Sequence, residues 1–404
     1  MIRAGDMRQL VESHVTEHGE GKKLLAFQSA ADQVSRLLSE GKWKPYELKI
    51  PMIAEATIPC PDGMSLAELS EPMNSGRLQE AMVSSAFPYV TGKLINDQII
   101  SNYNLELGNL LSLLCEEGEM DDYPDSSVVG FEEGDQLDKV EESVAYPETT
   151  VAEKRVQVRG AKFGRIISLT REMIHFDKTN QILTQAQRIG QRTGQLIARH
   201  ITQTVEVVPR TGLGETTTTL RAHVSRGTVI TISNHYNSDH SAVTGLDGQI
   251  NDNSIASAAT ISDAVMTTAY QLFAAMLDEK GQPITVVPKI IFCHPLRAIA
   301  AWKLVNSIQV LGSANNDMSF FGPQGGLKLS VVTSPYIGTS TEYWYVGDFK
   351  KQLMWLWGWR PSMASQTSTS EMAFTSDIVQ RYKWGYMGGV AHTNYVHIVR
   401  GEIA

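Results

Sequence analysis

Across the middle of the chain the apolar positions first alternate and then recur at three and four, which marks a strand running into a long helix. From Val151 to Thr170, Val156 and Val158 alternate with Gln157 and Arg159, and Gly160 and Gly164 interrupt the run. Period-two alternation with glycine breaks predicts strand exposed on one face, such as an arm projecting from a body. Asp177 to Thr179 then supply a cap, and Ile182, Leu183, Ala186, Ile189, Leu196, Ile197 and Ile201 form a single helical stripe. Pro209 stops it. A helix over 179–205 is roughly 40 Å long at 1.5 Å per residue. Gln181, Gln185, Gln187, Arg188, Gln191, Arg192 and Gln195 keep its other faces polar, while Gly190 and Gly194 permit close approach or slight bending. A charged strand feeding so long a one-sided helix suits a lattice-building part. The plainer alternative is a surface helix on an ordinary globular domain.

Toward the N-terminus the pattern predicts helices over 7–18 and 22–40, the second with a stripe of Leu24, Leu25, Phe27, Ala31, Val34 and Leu38, and a further helix over 95–103. With few long apolar elements, residues 1 to about 85 are expected as an extended arm that packs on something else. Residues 210–258 are rich in Thr, Ser, Asn and Gly and read as a long loop with short strands such as 228–232. An α/β module follows, alternating helix 261–277, strand 289–293, helix 295–305 and strand 327–333 around a glycine-rich loop at 312–326. Strand-like segments at 342–349, 351–360 and 377–399 close the chain.

Charge changes this picture in one place. Glu116, Glu117, Glu119, Asp121, Asp122, Asp125, Glu132, Glu133, Asp135, Asp138, Glu141 and Glu142 meet only Lys139, whereas Lys154, Arg155, Arg159, Lys162, Arg165 and Arg171 are free of acids. Two such blocks can pair as strands of one hairpin, or dock onto neighbouring copies of the chain. The remaining alternative is two solvated faces. The net charge of −9 argues against a nucleic-acid-binding role, which rests on cationic neutralisation of phosphates. At 404 residues, 42% hydrophobic and 20% charged, the chain is expected to hold two or three soluble domains. It shows no membrane-length apolar run and no signal peptide, so synthesis and retention in the cytosol are expected.

Candidate chemistry is thin. Cys60, Cys115 and Cys293 are odd in number and far apart, and are expected to be reduced. Thr91-Gly-Lys-Leu94 has Leu where a phosphate loop needs Ser or Thr, and Phe87 where it needs the first glycine. His235, Asp239 and His240 mix metal-binding types, but in a polar loop they read as hydrogen-bonding groups. Cys293-His294 sets a thiol beside an imidazole with no orienting third group in view. Trp355, Trp357 and Trp359 share a strand face, expected as a buried face or a subunit contact rather than a sugar platform. No catalytic residue, cofactor or metal site is expected.

The order of charged hairpin, long helix, α/β module and returning strands resembles that of tailed-bacteriophage major capsid proteins of the Hong Kong 97 type. The resemblance runs from about Ala86 to the C-terminus and is carried by Arg165-Ile-Ile-Ser-Leu-Thr-Arg-Glu-Met-Ile-His-Phe-Asp177, Asp377-Ile-Val-Gln-Arg-Tyr-Lys-Trp-Gly385, Thr333-Ser-Pro335 and Tyr345-Val-Gly-Asp-Phe349. It implies an α+β capsid fold with an N-terminal arm (1–85), the start of a peripheral domain (86–124), an extended loop (125–170), a peripheral domain with spine helix 179–205 (171–258), an axial domain (259–335) and C-terminal return strands of the peripheral domain (336–404). It further implies hexamers and pentamers closing an icosahedral shell in the host cytoplasm, with a portal and scaffold or decoration proteins as partners. That shell would enclose double-stranded DNA without sequence-specific contact, and no membrane. The expected inter-subunit contacts are Lys154, Arg155, Arg159, Lys162, Arg165, Glu132, Glu133 and Asp135. Lys154 and Lys162 lie where cross-linking relatives carry a lysine, but no partner asparagine is identified and no cross-link is expected. An encapsulin-type nanocompartment shell is the alternative, and an enzyme a more distant one.

Overall fold

The computed structural model describes residues 4–18, 23–40, 42–43, 48, 50–58, 85–123, 125–131, 140, 153–176, 181–210, 221–225, 228–231, 235–236, 251–258, 261–277, 282–309, 318–337, 343–367 and 377–403. In chain order these form α1 (Ala4–His18), α2 (Lys23–Ser39), α3 (Ile50–Thr57), α4 (Phe87–Leu107), α5 (Leu110–Leu114), β1 (Glu116–Glu119), β2 (Asp125–Phe131), β3 (Glu153–Arg159), β4 (Ala161–Thr170), α6 (Arg171–Phe176) and α7 (Gln181–Glu206). Then come β5 (Arg221–Ser225), β6 (Thr228–Thr231), β7 (Ser254–Ala258), α8 (Asp263–Ala275), β8 (Ile290–Cys293), α9 (Ala298–Asn306), β9 (Ser330–Thr333), β10 (Tyr343–Gly347), β11 (Leu353–Thr367), β12 (Ile378–His392) and β13 (Ile398–Ile403). The class is α+β, as expected. Three sheets run in the orders β1-β11-β12-β4, β7-β13-β10-β8-β9 and β2-β3-β5-β6. The chain divides into two compact units, the first made of Met1–Leu107, Lys162–Gln195 and Pro361–Tyr386, the second of Gly108–Ala161, Leu196–Arg360 and Met387–Ala404.

In the first unit the N-terminal stretch departs from the extended arm expected over 1–85. Its described part is three helices whose Met7, Ala30, Ala31, Val34, Ile50, Ile53 and Ala54 share one buried core with Phe87, Val90, Leu94, Ile95 and Ile99 of α4. Of 15, 17 and 8 residues, these helices draw their stability mainly from packing rather than propensity. The stripe of α7 docks Ile182, Leu183 and Ala186 into the same core. The glycines of this helix serve close approach: a Cβ on Gly190 would lie 2.3 Å from the Ile99 carbonyl oxygen, and one on Gly194 2.9 Å from that of Tyr103. Thr91, in the rejected phosphate-loop segment, is instead buried in α4 with its hydroxyl 2.6 Å from the Tyr382 hydroxyl.

In the second unit the sheet of the α/β module recruits strands from beyond 259–335. β10 pairs antiparallel with both β8 and β13, β8 runs parallel to β9, and β13 parallel to β7. The 336–404 stretch therefore does not return as one body: β10 and β13 complete this sheet. The reason is burial, since Trp344, Tyr345 and Val346 are all buried on both faces of a central strand. Behind it lie Met266, Ala269 and Phe273 of α8 and Ala301 and Leu304 of α9. Ser262 caps α8, its side chain accepting from the Val265 N–H.

The helix α7 ends within this unit. Val207 takes a φ of 60°, its N–H bonds the Thr204 carbonyl at 3.0 Å, and the Val208 N–H reaches back to that of Gln203 at 2.9 Å. This is a Schellman cap with a β-branched residue at the left-handed position that glycine usually fills. Pro209 follows two residues later, as the sequence leads one to expect.

Candidate functional site

The hairpin expected across 125–170 forms at its base. β2 and β3 pair antiparallel, with Asp125 opposite Arg159 and Phe131 opposite Glu153, so a strand with a single acid, Asp125, lies beside the basic strand in the same chain. Alternation places Val156 and Val158 inward, 4% and 0% exposed, against Leu356 and Ala391. Arg159 is exposed, and after the break at Gly160 so are Lys162 and Arg165 on β4. Gly164 sits where a Cβ would stand 2.8 Å from the Trp384 carbonyl oxygen, which explains the second interruption. Lys154 and Arg155 occupy β3 opposite Gly130 and Val129. Glu132, Glu133 and Asp135 lie outside the described residues.

Part of the acidic block has another use. Glu116–Glu119 form β1, parallel to β11, and Glu117 accepts from the Trp357 indole at 2.8 Å and from Arg360 at 3.1 Å. Trp355 and Trp357 are buried with ring centroids 5.2 Å apart, whereas Trp359 is 42% exposed. The tryptophan face is thus mainly a buried strand face.

The groups that hinted at chemistry are spent on structure. Cys293 is buried in β8, and desolvation pushes its thiol up to about 11. His294 turns away to cap the 3₁₀ turn Pro295–Arg297, accepting from the Leu296 N–H at 3.2 Å. A neutral buried thiol without its imidazole is no nucleophile. Cys115 is raised further still, by burial and then by the Glu117 carboxylate. His235 belongs to a buried hydrogen-bonded lattice: the Gln352 side-chain amide lies 3.1 Å from its Nε2 and 3.2 Å from His392 Nδ1, and His392 Nε2 donates to the Thr204 carbonyl at 2.6 Å. One amide with two donors thus serves two neutral imidazoles. Asp239 and His240 lie outside the described residues.

A surface that the sequence reading missed is the outer face of α9 and the turn before it. Leu296, Ile299 and Trp302 are 69%, 68% and 62% exposed. Spaced at three, they share one side, opposite the buried Ala301 and Leu304. In the same module Met318 is 64% and Phe320 44% exposed, Phe320 in edge contact with Tyr270 at 5.4 Å. The available signal was that Ile299, Ala300, Ala301, Trp302, Leu304 and Val305 surround the helix, more apolar surface than one face can bury. Exposed apolar area grouped on one face is the kind of surface that a contact with another macromolecule covers.

Comparison with known proteins adds the following. A family model described as phage capsid protein matches residues 153–401. No curated protein matches the chain. Among solved structures, the capsid of the native GTA particle is similar at 12% identity, covering 73% of this chain and 89% of that one, with a TM-score of 0.46. The capsid of Ralstonia phage GP4 is similar at 10% identity, covering 72% and 87%, with a TM-score of 0.45. For Mycobacterium phage Ogopogo the identity is 13%, the coverage 73% and 92%, and the TM-score 0.40.

Proposed function

The chain belongs to the phage capsid protein family, matched over residues 153–401, and from that premise we infer that it is the major capsid protein of a tailed bacteriophage with a Hong Kong 97-type shell. Copies associate into hexamers and pentamers that close an icosahedral head, assembled in the host cytoplasm and later part of the virion. The observation that carries this reading is the exposed apolar face of Leu296, Ile299 and Trp302. A subunit destined to stay alone would hide it, and in a capsid family the natural cover is a second copy. The charged residues Arg159, Lys162 and Arg165, exposed on the strands flanking Gly160, are a second contact, with Lys154, Arg155, Glu132, Glu133 and Asp135 as the remaining members. The role is structural rather than enzymatic.

Portal, scaffold and decoration proteins are the further partners of such a shell. Its DNA is held by confinement with weak charge contacts, in keeping with the net charge of −9. Electron microscopy and light scattering of the expressed full chain test the reading, with closed megadalton shells as the expected product. A monomer or dimer under every condition, scaffold included, overturns it. Submicromolar binding of duplex DNA by the disassembled subunit, with a steep salt dependence, overturns the confinement part alone.

A further inference from the structure

The last turns of α1 carry His14, Glu17 and His18, at positions that share one face of the helix. One ligand atom from each lies within 4.8 Å of the others. His14 Nδ1 stands 3.7 Å from Glu17 Oε2, and the two imidazoles are stacked with centroids 6.5 Å apart and planes 16° from parallel. Across the hairpin, the side-chain oxygen of Gln33 on α2 meets His14 Nε2. An oxygen there can only accept, which in the neutral ring selects the tautomer protonated at Nε2. Nδ1 keeps its lone pair, directed to the side where Glu17 lies and approached by the Ser29 hydroxyl at 3.2 Å. A ring whose far N–H is held by an amide oxygen is the arrangement that orients metal-binding histidines and fixes their tautomer.

The surrounding charges are committed to one another. Glu40 pairs with Arg36 and Lys42, each at 2.8 Å, and Asp32 with Lys93 at 3.1 Å. A groove of about 470 Å³ lined by His14, Ser29 and Gln33 opens beside the cluster. The Glu17 side chain is 71% exposed, against 14% for His14, so the carboxylate has room to turn while the imidazole is packed.

We propose that His14, Glu17 and His18 bind a borderline divalent cation of the zinc type, with Gln33 as the residue that orients His14. Two imidazoles and one carboxylate suit zinc and its neighbours in the first transition row, not calcium or magnesium, which take oxygen ligands. Ligands about 2.0–2.2 Å from zinc stand roughly 3.3–3.5 Å apart at tetrahedral angles. The cluster reaches that spacing when the exposed Glu17 and His18 side chains turn inward. Water or the Ser29 hydroxyl takes the remaining position. Because all three ligands sit on the final turns of α1 and Gln33 lies on α2, the ion locks the helix end and ties it to the hairpin. The site shares no residue with the proposed assembly surfaces.

The test is calorimetric titration of the purified full-length subunit with zinc chloride, with the cobalt(II) absorption spectrum as an independent readout of the ligand set. One equivalent of zinc is expected to bind saturably and to raise the thermal transition. The double variant E17A/H18A, altered only at the end of a surface helix, is expected to lose at least tenfold in affinity, and Q33A to lose about 10–100-fold as an orienting residue does. Absence of saturable binding by the parent chain overturns the proposal. So does undiminished binding by E17A/H18A, or a cobalt spectrum with thiolate charge-transfer bands, which would place the ion on a cysteine.

Discussion

The exposed face of α9 gives the sharpest test of how the shell is held. Consider Leu296, Ile299 and Trp302 replaced together by glutamine, a residue of good helix propensity that leaves the backbone undisturbed. Full burial of a large apolar side chain is worth about 1.5–3 kcal/mol, and these three keep 69%, 68% and 62% of their area at the surface. Covering them on association therefore contributes about 3–6 kcal/mol per contact, and the substitution removes that. At about 1.4 kcal/mol per tenfold, each contact weakens by about two to four orders of magnitude. Folding of the subunit draws only on the buried third of each side chain, because Ala301 and Leu304 face the core on the opposite side. Light scattering and negative-stain microscopy should find soluble subunits that do not close shells at concentrations where the parent chain does. Circular dichroism should find the subunit's thermal transition nearly unchanged. Normal shells from the triple variant would show that this face is not an assembly surface. An unfolded subunit would show that it belongs to the fold instead.

The other expectations are as follows. Replacing Arg155, Arg159 and Lys162 by Glu puts like charges at the proposed contacts; since an exposed pair is worth at most about 1 kcal/mol, the subunit should fold normally yet close shells only at raised salt, and normal shells at low salt would refute the contact. Gly190→Ala drives a methyl to 2.3 Å from the Ile99 carbonyl oxygen and should destabilise the subunit by about 1–3 kcal/mol in thermal denaturation, as overpacking does. Val207→Gly should act in the opposite direction: relieving a left-handed β-branched residue is worth about 1–2 kcal/mol, offset by about 0.5–1 kcal/mol of glycine entropy, so the transition rises slightly; a fall would show that the Val207 side chain matters more than its backbone. Burial raises the Cys293 thiol from its ordinary 9.0 to about 11, so the folded state holds its proton more tightly and this stabilising contribution is present below pH 9 and lost as the pH climbs toward 11. At pH 8 alkylation followed by mass spectrometry should accordingly leave Cys115 and Cys293 unmodified in the native chain and label both after unfolding.

What the sequence showed clearly was whatever a single element encodes by itself. The stripe of α7 repeats seven apolar positions at three and four, and the structure gives one helix over Gln181–Glu206. The break at Gly160 and the inward Val156 and Val158 were equally legible, because a strand's period is visible within five residues. The N-terminal helical core was not. Its contacts rest on small residues such as Ala30, Ala31 and Ala54 meeting across separate short helices, and an alanine carries no signal about which neighbour it will touch. Sheet membership failed for a related reason. The strand segments at 343–347 and 398–403 look alike from sequence whether they join one sheet or another, and their pairing with 290–293 and 254–258 is fixed by contacts more than fifty residues away.

The same distinction explains why the basic strands were found from the sequence and the apolar face was not. Charge is visible without knowing the fold, since Arg159, Lys162 and Arg165 are costly to bury wherever they lie. An apolar residue is silent until the core has taken its share. The turn and helix from Leu296 to Val305 offer apolar side chains all round, and only the position of the sheet β7-β13-β10-β8-β9 selects Ala301 and Leu304 for the inside. What is left over, Leu296, Ile299 and Trp302, stays exposed among the described residues. In a family whose members build capsids, that surplus is the surface proposed above to meet the next copy.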